Sequence, residues 1–263
     1  MDGLSDTPSD GALACEHLSV RVPGRTLVAG LSIRFQPGRI VAVLGRNGAG
    51  KSSTLHALAG LHAGATGEAQ VDGRALSRWP RRALARRLGL LTQANEDPFP
   101  GTVLDSVLVG RHPHIGFWQW EDEHDRGIAR RALAAVDLAD LDEREVASLS
   151  GGERRRLAVA AVLAQEPDVY LLDEPIQQLD PRHQVMVLEV FRRLADAGRT
   201  VVMSLHDAGL ATRYADEALL LFGDGRWLHG DERDVLCAAN IERLYGMPVR
   251  ELTWSAGRTF VPA

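Results

Sequence analysis

Ile40-Val41-Ala42-Val43-Leu44 runs directly into Gly45-Arg46-Asn47-Gly48-Ala49-Gly50-Lys51-Ser52. A short apolar run of this kind makes a strand buried on both faces. The eight residues after it match G-x-x-x-x-G-K-[ST], and Ser53 to Leu61 reads as the helix that should follow. Glycines let backbone N–H groups turn inward towards phosphate oxygens, and the helix N-terminus adds partial positive charge. Lys51 supplies a full charge to β- and γ-phosphates, and the Ser52 hydroxyl suits Mg²⁺. Gly45, Asn47, Gly48, Ala49, Gly50 and Ser53 complete the expected phosphate-binding set.

Further along, the apolar run Val169-Tyr170-Leu171-Leu172 ends in Asp173-Glu174. A carboxylate at the tip of a buried strand is costly unless a cation or donor meets it. Asp173 is suited to hold Mg²⁺ through water, and Glu174 to polarise an attacking water. Taken alone, the pair could equally be the acidic start of a helix ahead of Pro175. Beside a phosphate loop, nucleotide hydrolysis is the stronger reading.

Around these two motifs, helix and strand alternate. A helix follows Gly152, then come a strand Val169–Asp173, a helix Arg182–Ala195 and a strand Thr200–Ser204. Such alternation predicts a largely parallel sheet covered on both faces. Earlier, Leu18–Val22 and Leu31–Phe35 read as strands with a Pro23-Gly24 turn, as do Glu68–Val71 and Leu88–Thr92. Ser77 is expected to cap a helix with Pro80 in its first turn and Arg81, Arg82, Arg86 and Arg87 on its polar side. Thr102 to Ala147 reads as mainly helical. The expected fold class is α/β, a P-loop NTPase core whose mostly parallel sheet is flanked by helices. An N-terminal antiparallel β subdomain and an inserted helical subdomain at about 97–150 are attached to it. Residues 12–263 form one domain after a disordered leader, 1–11.

Composition narrows the function classes. With 30 Lys and Arg against 35 Asp and Glu, the net charge is −5, which argues against a nucleic-acid partner. The two cysteines, Cys15 and Cys237, stand in no motif and fit a reducing compartment. The leader has neither a basic start nor an apolar stretch, so it does not read as a signal peptide. No run approaches the roughly 18 apolar residues that cross a bilayer.

Leu149-Ser150-Gly151-Gly152-Glu153, about twenty residues before Asp173-Glu174, resembles the signature sequence of ATP-binding cassette (ABC) proteins. Ser150 and two glycines at a helix start make a second anion nest. The resemblance implies that this nest faces the γ-phosphate held by an opposite subunit, so that a homodimer sandwiches two ATP molecules. It extends to Gln93 as the Q-loop glutamine, touching Mg²⁺ and water and sensing a membrane partner. Asp180, after Leu179, resembles the D-loop aspartate, and His206 the switch histidine on the γ-phosphate. The implied catalytic set is Glu174, His206 and Gln93, with Ser52, Gln93 and Asp173 at the metal. Three positions depart from the family pattern. Val22 stands where an adenine-stacking aromatic is usual, Ile176-Gln177-Gln178 replaces smaller polar residues, and Ala161 stands where arginine is frequent.

Other features read more plainly. His112 and His114 lack a third ligand at metal spacing and read as loop residues. Glu121-Asp122-Glu123-His124-Asp125 reads as a solvated helix start, and Arg154-Arg155-Arg156 as a charged helix face. Phe117-Trp118-Gln119-Trp120 reads as core of the helical block, with a docking surface for a membrane subunit as the alternative.

Gly110-Arg111-His112-Pro113-His114, Pro98-Phe99-Pro100 and Ile241-Glu242-Arg243-Leu244-Tyr245-Gly246-Met247 resemble ATPases of importers for iron-siderophore chelates, haem and cobalamin. The resemblance implies integral membrane permease subunits as partners, a periplasmic substrate-binding protein indirectly, and a place at the cytoplasmic face of the inner membrane. The alternative is a soluble ABC-type ATPase of translation or DNA maintenance. The first usually carries two cassettes and the second a long coiled coil, and neither is present in this sequence.

Overall fold

The computed structural model describes residues 12–93, 101–116, 118–254 and 257–263. The chain forms β1 (Leu13–Val22), β2 (Arg25–Phe35), β3 (Ile40–Gly45), α1 (Lys51–Leu58), β4 (Ala65–Val71), β5 (Arg74–Ala75) and α2 (Arg81–Ala85). Next come β6 (Leu88–Leu91), α3 (Val103–Leu108), α4 (Glu123–Ala135), α5 (Gly151–Ala164), β7 (Val169–Leu172), α6 (Pro181–Asp196) and β8 (Thr200–Ser204). The last elements are α7 (Ala208–Tyr214), β9 (Glu217–Leu221), β10 (Trp227–Asp231), α8 (Glu232–Val235), α9 (Ala238–Tyr245), β11 (Val249–Trp254) and β12 (Gly257–Pro262).

The central sheet runs β10-β9-β3-β8-β7-β6, parallel except for β10, which pairs antiparallel with β9. Every residue of β3 is buried, because both faces of the sheet are covered. Side-chain alternation sends Ile40, Ala42 and Leu44 into one core with residues of α5 and α6. Val41 and Val43 enter a second core with Leu13, Phe35 and Leu55, under the N-terminal sheet. That second sheet is antiparallel, in the order β2-β1-β4-β5. Its strands reach beyond Leu18–Val22 and Leu31–Phe35. Register shifts between Cys15 and Leu18 and between Leu18 and Val20 break the period-2 pattern that would have marked the whole of β1.

Four local expectations are corrected. Ser77 caps no α-helix. It lies in a 3-10 turn, Leu76–Arg78, and α2 begins only after Pro80. Trp79 precedes that proline and is extended (ψ 134°), as the steric clash with the proline ring requires. Asp122 does cap α4, yet Asp125 is not solvated: it is buried and accepts from Arg111 Nε at 2.9 Å. Arg155 and Arg156 do not form a charged face, being 4% and 8% exposed. Trp118 and Trp120 are not core, being 90% and 88% exposed, while Phe117 and Pro98-Phe99-Pro100 lie outside the described residues. For Asp125 and Arg155 the deciding partners are distant in the chain, whereas for Ser77 it is the nearby Pro80.

Helices α3 and α4 pack on α5, and Arg111 joins the three through Asp125, Ala164 O and Glu166. His112 and His114 are loop residues, as expected, with His114 Nε2 2.9 Å from Gln165 O. Gly110 lies so close to α5 that a Cβ there would sit 2.2 Å from Ala161 O. Gly110→Ala should therefore destabilise the fold by roughly 1–3 kcal/mol, since neither backbone can yield easily. Gly127, inside α4, meets only Arg131 Nη1 at 3.6 Å, so Gly127→Ala should stabilise by about 0.5–1 kcal/mol. Urea unfolding midpoints should move in opposite directions for the two variants.

Candidate active site

Parallel β3, β6, β7 and β8 all end at one edge of the sheet, and the loops leaving that edge carry the predicted residues. Gly45 closes β3, Gln93 follows β6, Asp173-Glu174 follow β7, and His206 follows β8. A cavity of about 500 Å³ opens there. Asn47, Gly48, Gly50, Lys51, Ser52, Ser53, Gln93, Glu174 and His206 all line it. Ala49 is buried beside it, and the Gly45 carbonyl accepts from Lys51 Nζ at 3.1 Å. The loop can turn this tightly because Gly50 adopts φ 103°, and a Cβ at that position would meet Leu27 Cβ at 3.0 Å.

Lys51 is only 5% exposed. Burial pushes its ammonium pKa down, and the charges of Glu174 and Asp173 oppose that shift. Glu174 is held from both sides: Gln93 Nε2 donates to Oε2 at 3.2 Å, and His206 Nε2 lies 2.5 Å from Oε1. Asp173 Oδ1 accepts from Ser204 Oγ at 2.7 Å, whereas its buried Oδ2 has no hydrogen-bond partner. A buried carboxylate oxygen left open within electrostatic reach of Lys51 fits a hard cation, which takes oxygen ligands. Chemically the cavity can cradle a polyphosphate, neutralise it and orient a water against it.

Glu174 adopts φ 51°, a left-handed backbone that costs a non-glycine residue about 1–2 kcal/mol. Two interactions hold it there. Glu174 N donates to Ser204 Oγ at 2.8 Å, and the Arg155 guanidinium donates to Glu174 O at 2.7 Å. Arg155 also donates to Thr92 O at 2.8 Å and to Asp173 O. One buried side chain of α5 thereby ties the ends of β6 and β7 together. Nothing local in the sequence separates Arg155 from Arg154, so the run reads as a charged helix face. Burial pushes its pKa down while Asp173 and Glu174 oppose this, so it meets these carbonyls as a charged donor. Val22, Arg46 and Gln177 line the cavity too, as do Arg25 and Leu27, which lie in none of the motifs.

The signature residues and Asp180 do not line this cavity. Ser150 caps α5 in a capping box, where Glu153 Oε2 accepts from Ser150 N at 2.8 Å and from Ser150 Oγ at 2.7 Å. The backbone and hydroxyl bonds from Ser150 hold the Glu153 carboxyl below its usual pKa. The box is therefore intact above the usual carboxylate range and is lost as pH falls through the depressed value. Gly151 and Gly152 lie against Gln178. Asp180 caps α6 and pairs with His183 Nδ1 at 2.7 Å.

A phosphate loop, a carboxylate pair and a largely parallel sheet define a P-loop nucleotide hydrolase. The family described as "ABC transporter" matches residues 28–177. "Hemin import ATP-binding protein HmuV" of Pseudomonas entomophila is 41% identical over 243 residues, covering 90% of this chain and 93% of its own length. The protein of that name from Streptomyces coelicolor is 38% identical, covering 92% and 86%. A solved inward-facing conformation of a metal-chelate type ABC transporter superposes with a TM-score of 0.82 at 32% identity, covering 96% of this chain and 97% of the other. The chain belongs to the ABC transporter family, and it is an ATPase.

Arg155→Gln should lower ATP turnover about 10- to 100-fold, because a small displacement of a catalytic group is costly. The loss should fall on kcat rather than KM, since Lys51 is untouched, and steady-state kinetics alongside a thermal melt would separate it from misfolding.

Proposed function

We propose that this ATPase powers the import of haem or a related iron chelate through separate membrane subunits. The observation that carries the substrate class is the name shared by relatives at about 40% identity over nine-tenths of the chain, hemin import ATP-binding protein. Those names favour haem over cobalamin. Among the described residues no helix is long and apolar enough to cross a membrane, which accords with permease subunits on other chains. Reconstitution with a haem-importer permease, followed by ATP-driven haem uptake into vesicles, tests the assignment. Uptake of cobalamin instead would overturn it.

In the proposed site, Gly45, Asn47, Gly48, Ala49, Gly50, Lys51, Ser52 and Ser53 hold the phosphates of ATP. Ser52, Gln93 and Asp173 would hold Mg²⁺, which supplies charge neutralisation at the phosphates, and the open Asp173 Oδ2 supports this. Glu174 polarises the water, and His206 steadies it and the γ-phosphate, supported by their 2.5 Å contact. Ser150, Gly151, Gly152 and Glu153 serve the ATP of a second copy, and Asp180 lies across that homodimer. Their position outside the cavity of their own chain supports a composite site. A periplasmic substrate-binding protein delivers the ligand, and the ATPase works at the cytoplasmic face of the inner membrane. Domain bounds of 12–263, with a helical subdomain at about 97–150, complete the reading.

Trp118 and Trp120 are proposed to dock the permease, as their exposure suits a partner contact. Trp118→Ala with Trp120→Ala should abolish co-purification with the permease while leaving ATP hydrolysis by the free subunit; an intact complex would refute the docking role. Glu174→Gln should retain ATP binding but lower turnover roughly 10²-fold or more. Undiminished hydrolysis would remove Glu174 as the base.

A further inference from the structure

A purine ring is a flat, weakly hydrated surface that gains most from a planar partner. Among the described residues no Phe, Tyr or Trp lines the phosphate-loop cavity. The catalytic end of the cavity is taken by Glu174 with Gln93 and His206, where the terminal phosphate would lie. The nucleoside must then extend the other way, towards Val22, Arg25 and Leu27. Val22 offers only a small, partly exposed apolar side chain.

We propose that the guanidinium plane of Arg25 is the surface on which the adenine ring stacks. Three observations support it. Arg25 Nε donates to Gly223 O at 2.8 Å, which pins one edge of the plane where the residue lines the cavity. Gly223 makes the room: a Cβ there would lie 2.8 Å from Arg25 Nη2 and 2.9 Å from Ala49 Cα, so the guanidinium rests beside the phosphate loop itself. No carboxylate pairs with Arg25 among the ion pairs of the described residues, so its charge is not neutralised by a side chain there.

Arg46 is the competing planar group, but its Nη1 reaches towards Gly246, within 4.0 Å of where a Cβ would stand. That places its tip beside Gly246, at the end of α9. Guanidinium planes stack on nucleobases and add a cation–π attraction, and they do so without reading base edges. Arg25 therefore favours a purine by area and charge rather than by hydrogen bonding.

The inference rests on this cavity being the ATP site, and the two ideas can fail separately. On the full chain, the affinities of ATP and of inorganic tripolyphosphate would be measured by titration calorimetry. Arg25→Ala should weaken ATP about 10-fold, the scale of a lost stacking partner. It should leave tripolyphosphate binding at the wild-type level, which also shows that the variant is folded. Adding Val22→Tyr to Arg25→Ala should recover ATP affinity. Unchanged ATP affinity in Arg25→Ala, or equal loss of both ligands, would overturn the stacking role. Lys51→Ala should weaken both ligands, and if it weakened neither, the assignment of the cavity itself would fall.

Discussion

Two acids stand side by side at the inner end of β7, 1% and 6% exposed, and one buried ammonium faces them. Like charges this close in a poorly solvated site are unfavourable unless each is separately compensated. Asp173 leans on Ser204, Glu174 on Gln93 and His206, and the backbone of both on Arg155. What stays uncompensated is Asp173 Oδ2. A magnesium-bearing triphosphate would bring the missing positive charge to that oxygen and receive Lys51 in return. The empty lone pair and the phosphate loop are two halves of one electrostatic requirement.

The parallel sheet makes this concentration of charge possible. Because β3, β6, β7 and β8 run in one direction, their outgoing loops meet at one edge without long excursions. The core then carries the cost. Ile40, Leu44, Tyr170 and Leu172 are anchored against α5 and α6, while Val41, Val43, Val169 and Leu171 are anchored beneath the N-terminal sheet. Helix α5 has two duties. Its first turn holds Gly151, Gly152 and Glu153, and its second turn sends Arg155 inward to the backbone of Thr92, Asp173 and Glu174.

Legibility in the sequence followed the range of the forces involved. Thr200–Ser204 is a strand with the bounds expected, because a run buried on both faces declares itself by composition. The phosphate loop and the acid pair are contiguous and carry their chemistry in residue order. β1 was legible only in part, because its register shifts interrupt the alternation. The Ser77 helix was misplaced, since the constraint from Pro80 on Trp79 outweighs a good capping residue. Trp118 and Trp120 carry the composition of core residues, and composition does not say which neighbours are present.

By itself the sequence determined that a glycine-rich phosphate loop joins a buried strand to a helix, that two acids end another strand, and that a Ser-Gly-Gly helix start lies between them. Each of these is local, set by backbone geometry within a few residues. Tertiary structure alone decided that Gln93 and His206 close on Glu174, that Arg155 is a buried clamp and not a surface charge, and that Arg25 lines the cavity. Those contacts join residues up to 198 positions apart, as between Arg25 and Gly223. They exist because sheet order, which no short stretch encodes, sets which loops become neighbours.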